Sequence, residues 1–125
     1  MKPVLPTIFA CILSGALVVS VARGGAAEGF RQLRGSEIRS HLAGMELTDN
    51  IHWALVFSKG GRLRSFEMSK AGTGAWRVGK DELCLDRQPD GVRCYEVWVS
   101  GRNVQLRHEP GIPEEGVLQK PQKRQ

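Results

Sequence analysis

The stretch LCLDRQPDGVRCYEVWVSGRNVQLR, residues 83–107, decides the fold. Leu83–Asp86 and Val92–Val99 are apolar-rich runs on either side of Pro89-Asp90-Gly91. Ser100-Gly101-Arg102-Asn103 turns the chain again, and Val104–Arg107 returns. Short runs joined by tight, glycine-containing turns read as antiparallel strands in a meander.

Cys84 and Cys94 sit on the two arms of the first hairpin. If they face each other, their Cα atoms fall within disulfide range. The loop they would close is small, so chain entropy gives roughly 3 kcal/mol of stabilisation. The turn signal argues for a different register. Pro89-Asp90-Gly91 as a three-residue loop pairs Gln88 with Val92 and places Cys84 opposite Glu96. Direct cysteine pairing needs a loop running from Asp86 or Arg87 to Val92, and it sets Glu82 against Glu96. The cysteines outrank the turn signal here, and a bulge would reconcile the two. Redox cysteines stand two residues apart at a helix start, and zinc needs more soft ligands than two thiols. Neither pattern is present, so the pair reads as a cross-link.

The same grammar continues upstream. Ile51–Phe57 is β-branched and aromatic, Ser58-Lys59-Gly60-Gly61 turns, and Leu63–Met68 returns. Lys70–Gly74 is rich in turn formers and reads as a loop before a short strand, Ala75–Val78. Before all of these lies RGSEIRSHLAG, with Ser36 as N-cap, Ile38 and Leu42 four apart, and Gly44 as the stop. This predicts one short N-terminal helix that must lie on something apolar. The fold class expected is mainly β: a small antiparallel meander, as one curved sheet or a barrel, with that helix on an end or face. Residues 28–108 form this β-domain. Residues 109–125 carry Pro110, Pro113 and Pro121 with little apolar content, and read as an extended or disordered tail with Val117-Leu118 docking.

Residues 1–27 read as a secretory signal peptide. Lys2 supplies positive charge, residues 4–22 are almost wholly apolar, and Gly25 and Ala27 suit cleavage after Ala27. The rivals are an uncleaved anchor and a lipoprotein modified at Cys11, but the small-residue exit favours cleavage. Cleavage leaves 98 residues and lowers the formal charge from +5 to +3. The expected compartment is the periplasm or the exterior, with no stable membrane span after cleavage. An exported chain without a dense basic run makes nucleic acid a poor partner.

Candidate chemistry is thin. Asp49 and His52, three apart at a loop-to-strand junction, could hold a metal, make an acid–base pair or contact a ligand, but two residues do not define a site. His41 and His108 read as surface histidines. Asp81, Glu82 and Asp86 read as turn and outward strand positions. No catalytic, metal or cofactor site is expected. Among the tryptophans, Trp76 and Trp98 read as core, and Trp53 as a possible contact with a partner.

Four stretches carry a resemblance: FRQLRGSEIRSHLAGMEL, IHW, Gly74–Val78 running into DELCLD, and CYEVWVSGRNVQL. Over residues 30–118 the chain resembles a family of small exported proteobacterial β-domains of unassigned activity. That resemblance implies a fold and a compartment and carries no site residues. The function expected is a non-catalytic periplasmic binding or interaction module, with an envelope protein or glycan as partner. The alternatives are an inhibitor of an exported hydrolase and a weak hydrolase using His52 with Asp49 or a hairpin carboxylate.

Overall fold

The computed structural model describes residues 29–124, with residues 2–4, 15, 16 and 18. The signal-peptide reading falls almost wholly outside these residues, as does Cys11. Among the described residues no helix is long and apolar enough to cross a membrane. They form nine strands and one short helix: β1 Arg31–Leu33, α1 Ser36–Leu42, β2 Glu46–Thr48, β3 Trp53–Phe57, β4 Arg62–Glu67, β5 Lys70–Gly79, β6 Glu82–Arg87, β7 Gly91–Ser100, β8 Asn103–Arg107 and β9 Glu114–Gln119.

Every pairing is antiparallel, and the order β7-β6-β5-β4-β3-β2-β9-β8 closes on itself through β7–β8. The result is an eight-stranded barrel. The three-residue β1 extends the wall along the far half of β7, with Leu33 opposite Val97. An eight-stranded barrel has an interior that side chains can just fill. Alternation supplies them: Leu55 and Phe57 from β3, Leu83 and Leu85 from β6, Tyr95, Val97 and Val99 from β7, Val104 and Leu106 from β8.

The helix follows β1 and is therefore internal. It covers the barrel end that carries the β3–β4 and β5–β6 turns, with Ile38 and Leu42 fully buried. Ser36 is the first helical residue and not the cap. Gly35 holds the boundary in a left-handed conformation (φ 51°) without a side-chain cap. Its N–H instead donates to Asp81 Oδ1 at 3.0 Å, so the β5–β6 turn anchors the helix start. At the other terminus Gly44, at φ 79°, turns the chain into β2, as expected of the stop. Trp76 is core, also as expected. Its Nε1 donates to the Ser58 carbonyl at 2.8 Å, its ring meets Phe57 edge-on at 5.5 Å, and the Arg39 guanidinium lies 4.6 Å from its centroid.

Three further expectations need correction. Lys70–Gly74 is strand, not loop. The β4–β5 connection is only Met68-Ser69, so Lys70 pairs with Glu67 at once and the ladder runs on to Arg62–Ala75. Glu114–Gln119 is also strand: β9 fills the gap between β8 and β2 and closes the barrel. Beyond it, the chain turns back over the outer face. Gln119 donates to the fully buried Glu46 at 2.8 Å, and the Arg124 guanidinium pairs with the same carboxylate and lies over Phe66. Trp98 is not core. Val97 and Val99 point inward, so Trp98 points outward, half-buried, with the Arg107 guanidinium 4.0 Å from its ring centroid.

The cross-link is present. Cys84 faces Cys94 directly and their sulfurs are bonded. The two sequence signals do not conflict after all. The hairpin loop is Gln88-Pro89-Asp90, and Gly91, at φ 76°, already pairs with Arg87. A turn centred one residue earlier brings the cysteines together without a bulge.

Candidate functional site at the open end of the barrel

The barrel end opposite the helix carries four connections: β2–β3, β4–β5, β6–β7 and β8–β9. No helix covers it. The β2–β3 connection is a braced loop. Asp49 Oδ1 accepts from the backbone N–H groups of His52 (2.7 Å), Ile51 (2.9 Å) and Trp53 (3.0 Å). Its Oδ2 lies 2.8 Å from His52 Nδ1. A carboxylate only accepts, so Nδ1 carries the proton, and the His52 side chain as a whole is exposed. Partial burial pushes the Asp49 carboxyl up. The backbone donors at Trp53, Ile51 and His52 and the His52 ring outweigh that and hold it well below the usual carboxylate range.

Trp53 leads from this loop into the barrel wall. It is half-buried and packs on the core from the open end. Its ring lies over Gly116 of β9, where a Cβ would come within 3.0 Å of Cη2 and 2.9 Å of the Thr48 carbonyl. Only glycine allows that approach. Around it stand Glu67 at the end of β4, Arg87 at the end of β6, and Glu114 at the start of β9. Arg87 donates to Glu67 at 3.4 Å. With His52 and Met68 these residues line a cavity of about 220 Å³. Small-molecule sites usually run from about 300 to 1,000 Å³. This hollow suits one inserted side chain better than a metabolite.

The rim above the cavity is apolar-tipped. Between residues 29 and 124 four large hydrophobic side chains are exposed: Ile51 (81%), Met68 (75%), Val92 (57%) and Ile112 (92%). Ile51, Met68 and Ile112 belong to three different open-end connections, and Val92 is the second residue of β7, just beyond the fourth. Met68 and Ser69 both hold positive φ, at 48° and 72°. A two-residue hairpin of this kind favours Asn-Gly, because other residues are strained there.

All three residues expected to form a contact, Asp49, His52 and Trp53, come together at this end. Asp49 is engaged as a loop brace, His52 is exposed, and Trp53 plugs the opening. No hydroxyl or thiol is bonded to the His52 ring among the described residues. The sequence reading missed Glu67, Met68, Arg87 and Glu114. They lie at different connections that closure of the barrel brings to one end, so no local sequence signal groups them. His41 Nδ1 lies 3.0 Å from the Glu37 carbonyl on α1, and His108 Nδ1 lies 3.1 Å from the Cys94 carbonyl; both side chains are hydrogen-bonded to backbone. Among the described residues no group of three His, Cys, Asp or Glu is placed to hold a metal ion.

Fold and site define a small disulfide-linked eight-stranded barrel, plugged by a helix at one end and rimmed by apolar turns at the other. No family model, curated protein or solved structure matches the chain.

Proposed function

We propose that this chain is an exported, non-catalytic binding module that meets its partner with the open end of the barrel. The carrying observation is the gathering of all four exposed large hydrophobic side chains of residues 29–124 at that end. Scattered single hydrophobics are ordinary on a surface, whereas a grouped set rimmed by polar residues marks an interaction site. The state of Asp49 supports the non-catalytic part. Its carboxylate is occupied by three backbone donors and held ionised, which suits bracing a loop and not exchanging protons. The apolar stretch at residues 4–22 and the Cys84–Cys94 bond support export, since such bonds persist in oxidising compartments.

The test has two parts. The chain recovered from the cell envelope is weighed intact, with and without reduction. The expected mass is that of residues 28–125, lighter by two hydrogens before reduction; a retained leader or free thiols would contradict export in this form. A photoreactive residue at Ile51 is then activated in the producing cell. The expected result is a protein adduct that persists after His52→Ala. Loss of the adduct together with loss of a turnover activity would favour the hydrolase reading.

A further inference from the structure

The two barrel ends differ in charge as well as in apolar exposure. The segments flanking the helix-covered end, residues 31–42, 58–62, 77–82 and 100–103, hold eight Lys and Arg against three carboxylates. Those at the open end, residues 49–52, 67–70, 86–93 and 107–115, hold seven carboxylates against four Lys and Arg. Overall the chain is basic, so the open end reverses the sign of the whole. Some rim carboxylates are committed. Asp49 braces its loop, Glu67 meets Arg87, and Glu115 accepts from Gln105 at 3.0 Å. Asp90, Glu109 and Glu114 are exposed, Asp90 two residues before Val92 and the other two on either side of Ile112.

From this we infer that the open end docks an apolar protein segment bearing Lys or Arg: its apolar side chains meet Ile51, Met68 and Ile112, and its cations meet the rim carboxylates. The inference rests on the reading that the open end is the contact surface, and adds the chemistry of what it contacts. An apolar rim alone would suit a bilayer surface equally well. Carboxylates beside the tips are repelled by anionic lipid, so charge selects the protein segment. The cavity lined by Trp53, Glu67 and Arg87, at about 220 Å³, is of a size for one side chain of that segment. The strained Met68 agrees with this. A turn selected for stability alone would not place a methionine at φ 48°.

The probe is a twelve-residue peptide alternating Leu with Lys, and the control replaces every Lys by Glu. Each is titrated into the ¹⁵N-labelled chain as recovered from the envelope, with its disulfide intact. The expected result is at least about tenfold tighter binding of the Lys peptide, weakening as ionic strength rises from about 0.01 to 0.15 M. Shifted amides should lie at the open-end turns. Ile51→Ser, Met68→Ser and Ile112→Ser together should lower affinity at least about tenfold with unchanged far-UV dichroism; these side chains are exposed, so the fold stands without them. Equal binding of the two peptides, shifts at the helix-covered end, or binding to vesicles of anionic phospholipid in preference to the Lys peptide would each overturn the inference. If no peptide binds while photo-adducts at Ile51 persist in the cell, the segment chemistry fails and the open-end reading stands. If both fail, the open-end reading fails with it.

Discussion

The helix-covered end and the open end of this barrel are made from the same hairpins yet use their turns differently. At the covered end Gly35, Gly44, Gly61 and Gly101 take up the positive φ values, with Lys80 the one residue there with a side chain at positive φ. Ile38, Leu42 and Trp76 fill the space beneath, and Asp81 ties the turn to the helix. At the open end Met68 and Ser69 occupy left-handed positions, one carboxylate braces a loop, and the apolar side chains point out instead of in. One end therefore has its backbone and side chains arranged for burial. The other keeps strain and exposed apolar area that burial would remove. Where strain and exposure coincide, function is the physical hypothesis to test.

Mutations at the two ends should separate accordingly. The largest effect on stability belongs to the covered end. Trp76→Ala removes a buried indole and its bond to Ser58, and should cost about 3–5 kcal/mol by denaturant unfolding, with little effect on any partner contact of the fold that remains. Replacing Cys84 and Cys94 together with Ala should cost about 3 kcal/mol, seen as a lower unfolding midpoint that reducing agent no longer shifts. At the open end the sign reverses. Met68→Asn with Ser69→Gly relieves two strained positions and should raise stability by about 1 kcal/mol while weakening partner binding. A variant that gained stability and kept full binding would break the comparison.

Gly116→Ala should lever Trp53 out of its seat. The expected readout is a red-shifted tryptophan emission with a modest fall in midpoint, since the Cβ would meet both the indole and the Thr48 carbonyl. The smallest effect concerns pH. Asp49 has its carboxyl lowered from 3.8 on folding, so its brace contributes stability above the unfolded value and loses it as pH falls toward the folded one. Below about pH 4 the chain should lose midpoint faster than Asp49→Asn does, and between pH 5 and 8 the Asp49 brace should add no slope for either.

Much of the barrel was legible in the sequence, because period-two alternation and glycine turns report directly on strands with one buried face. The seven-residue helix was legible from Ile38, Leu42 and Gly44. The strands that escaped were the three-residue β1 and β2, too short to show alternation, and two whose composition hides their pairing. Glu114–Gln119 has few apolar residues and is a strand because β8 and β2 flank it on both sides. Lys70–Gly74 looks like a loop by composition, and is held in a ladder by the tight turn before it. Trp98 was misplaced because alternation sets its face, and Val97 and Val99 had already claimed the interior. At the site, Asp49, His52 and Trp53 stood out because they are close in sequence. Glu67, Arg87 and Glu114 did not, since only closure of the barrel assembles them.

The central claim is that the two ends have different jobs, and one paired measurement tests it most directly. The yield of photo-adduct with the cellular partner is compared for two triple variants of the folded chain. One carries Ile51→Ser, Met68→Ser and Ile112→Ser with the photoreactive residue at Val92. The other carries Lys59→Ser, Arg62→Ser and Arg102→Ser with the same reporter. The account predicts that the first loses most of its adduct and the second keeps it. Retention in the first with loss in the second would place the contact at the helix-covered end and contradict the account.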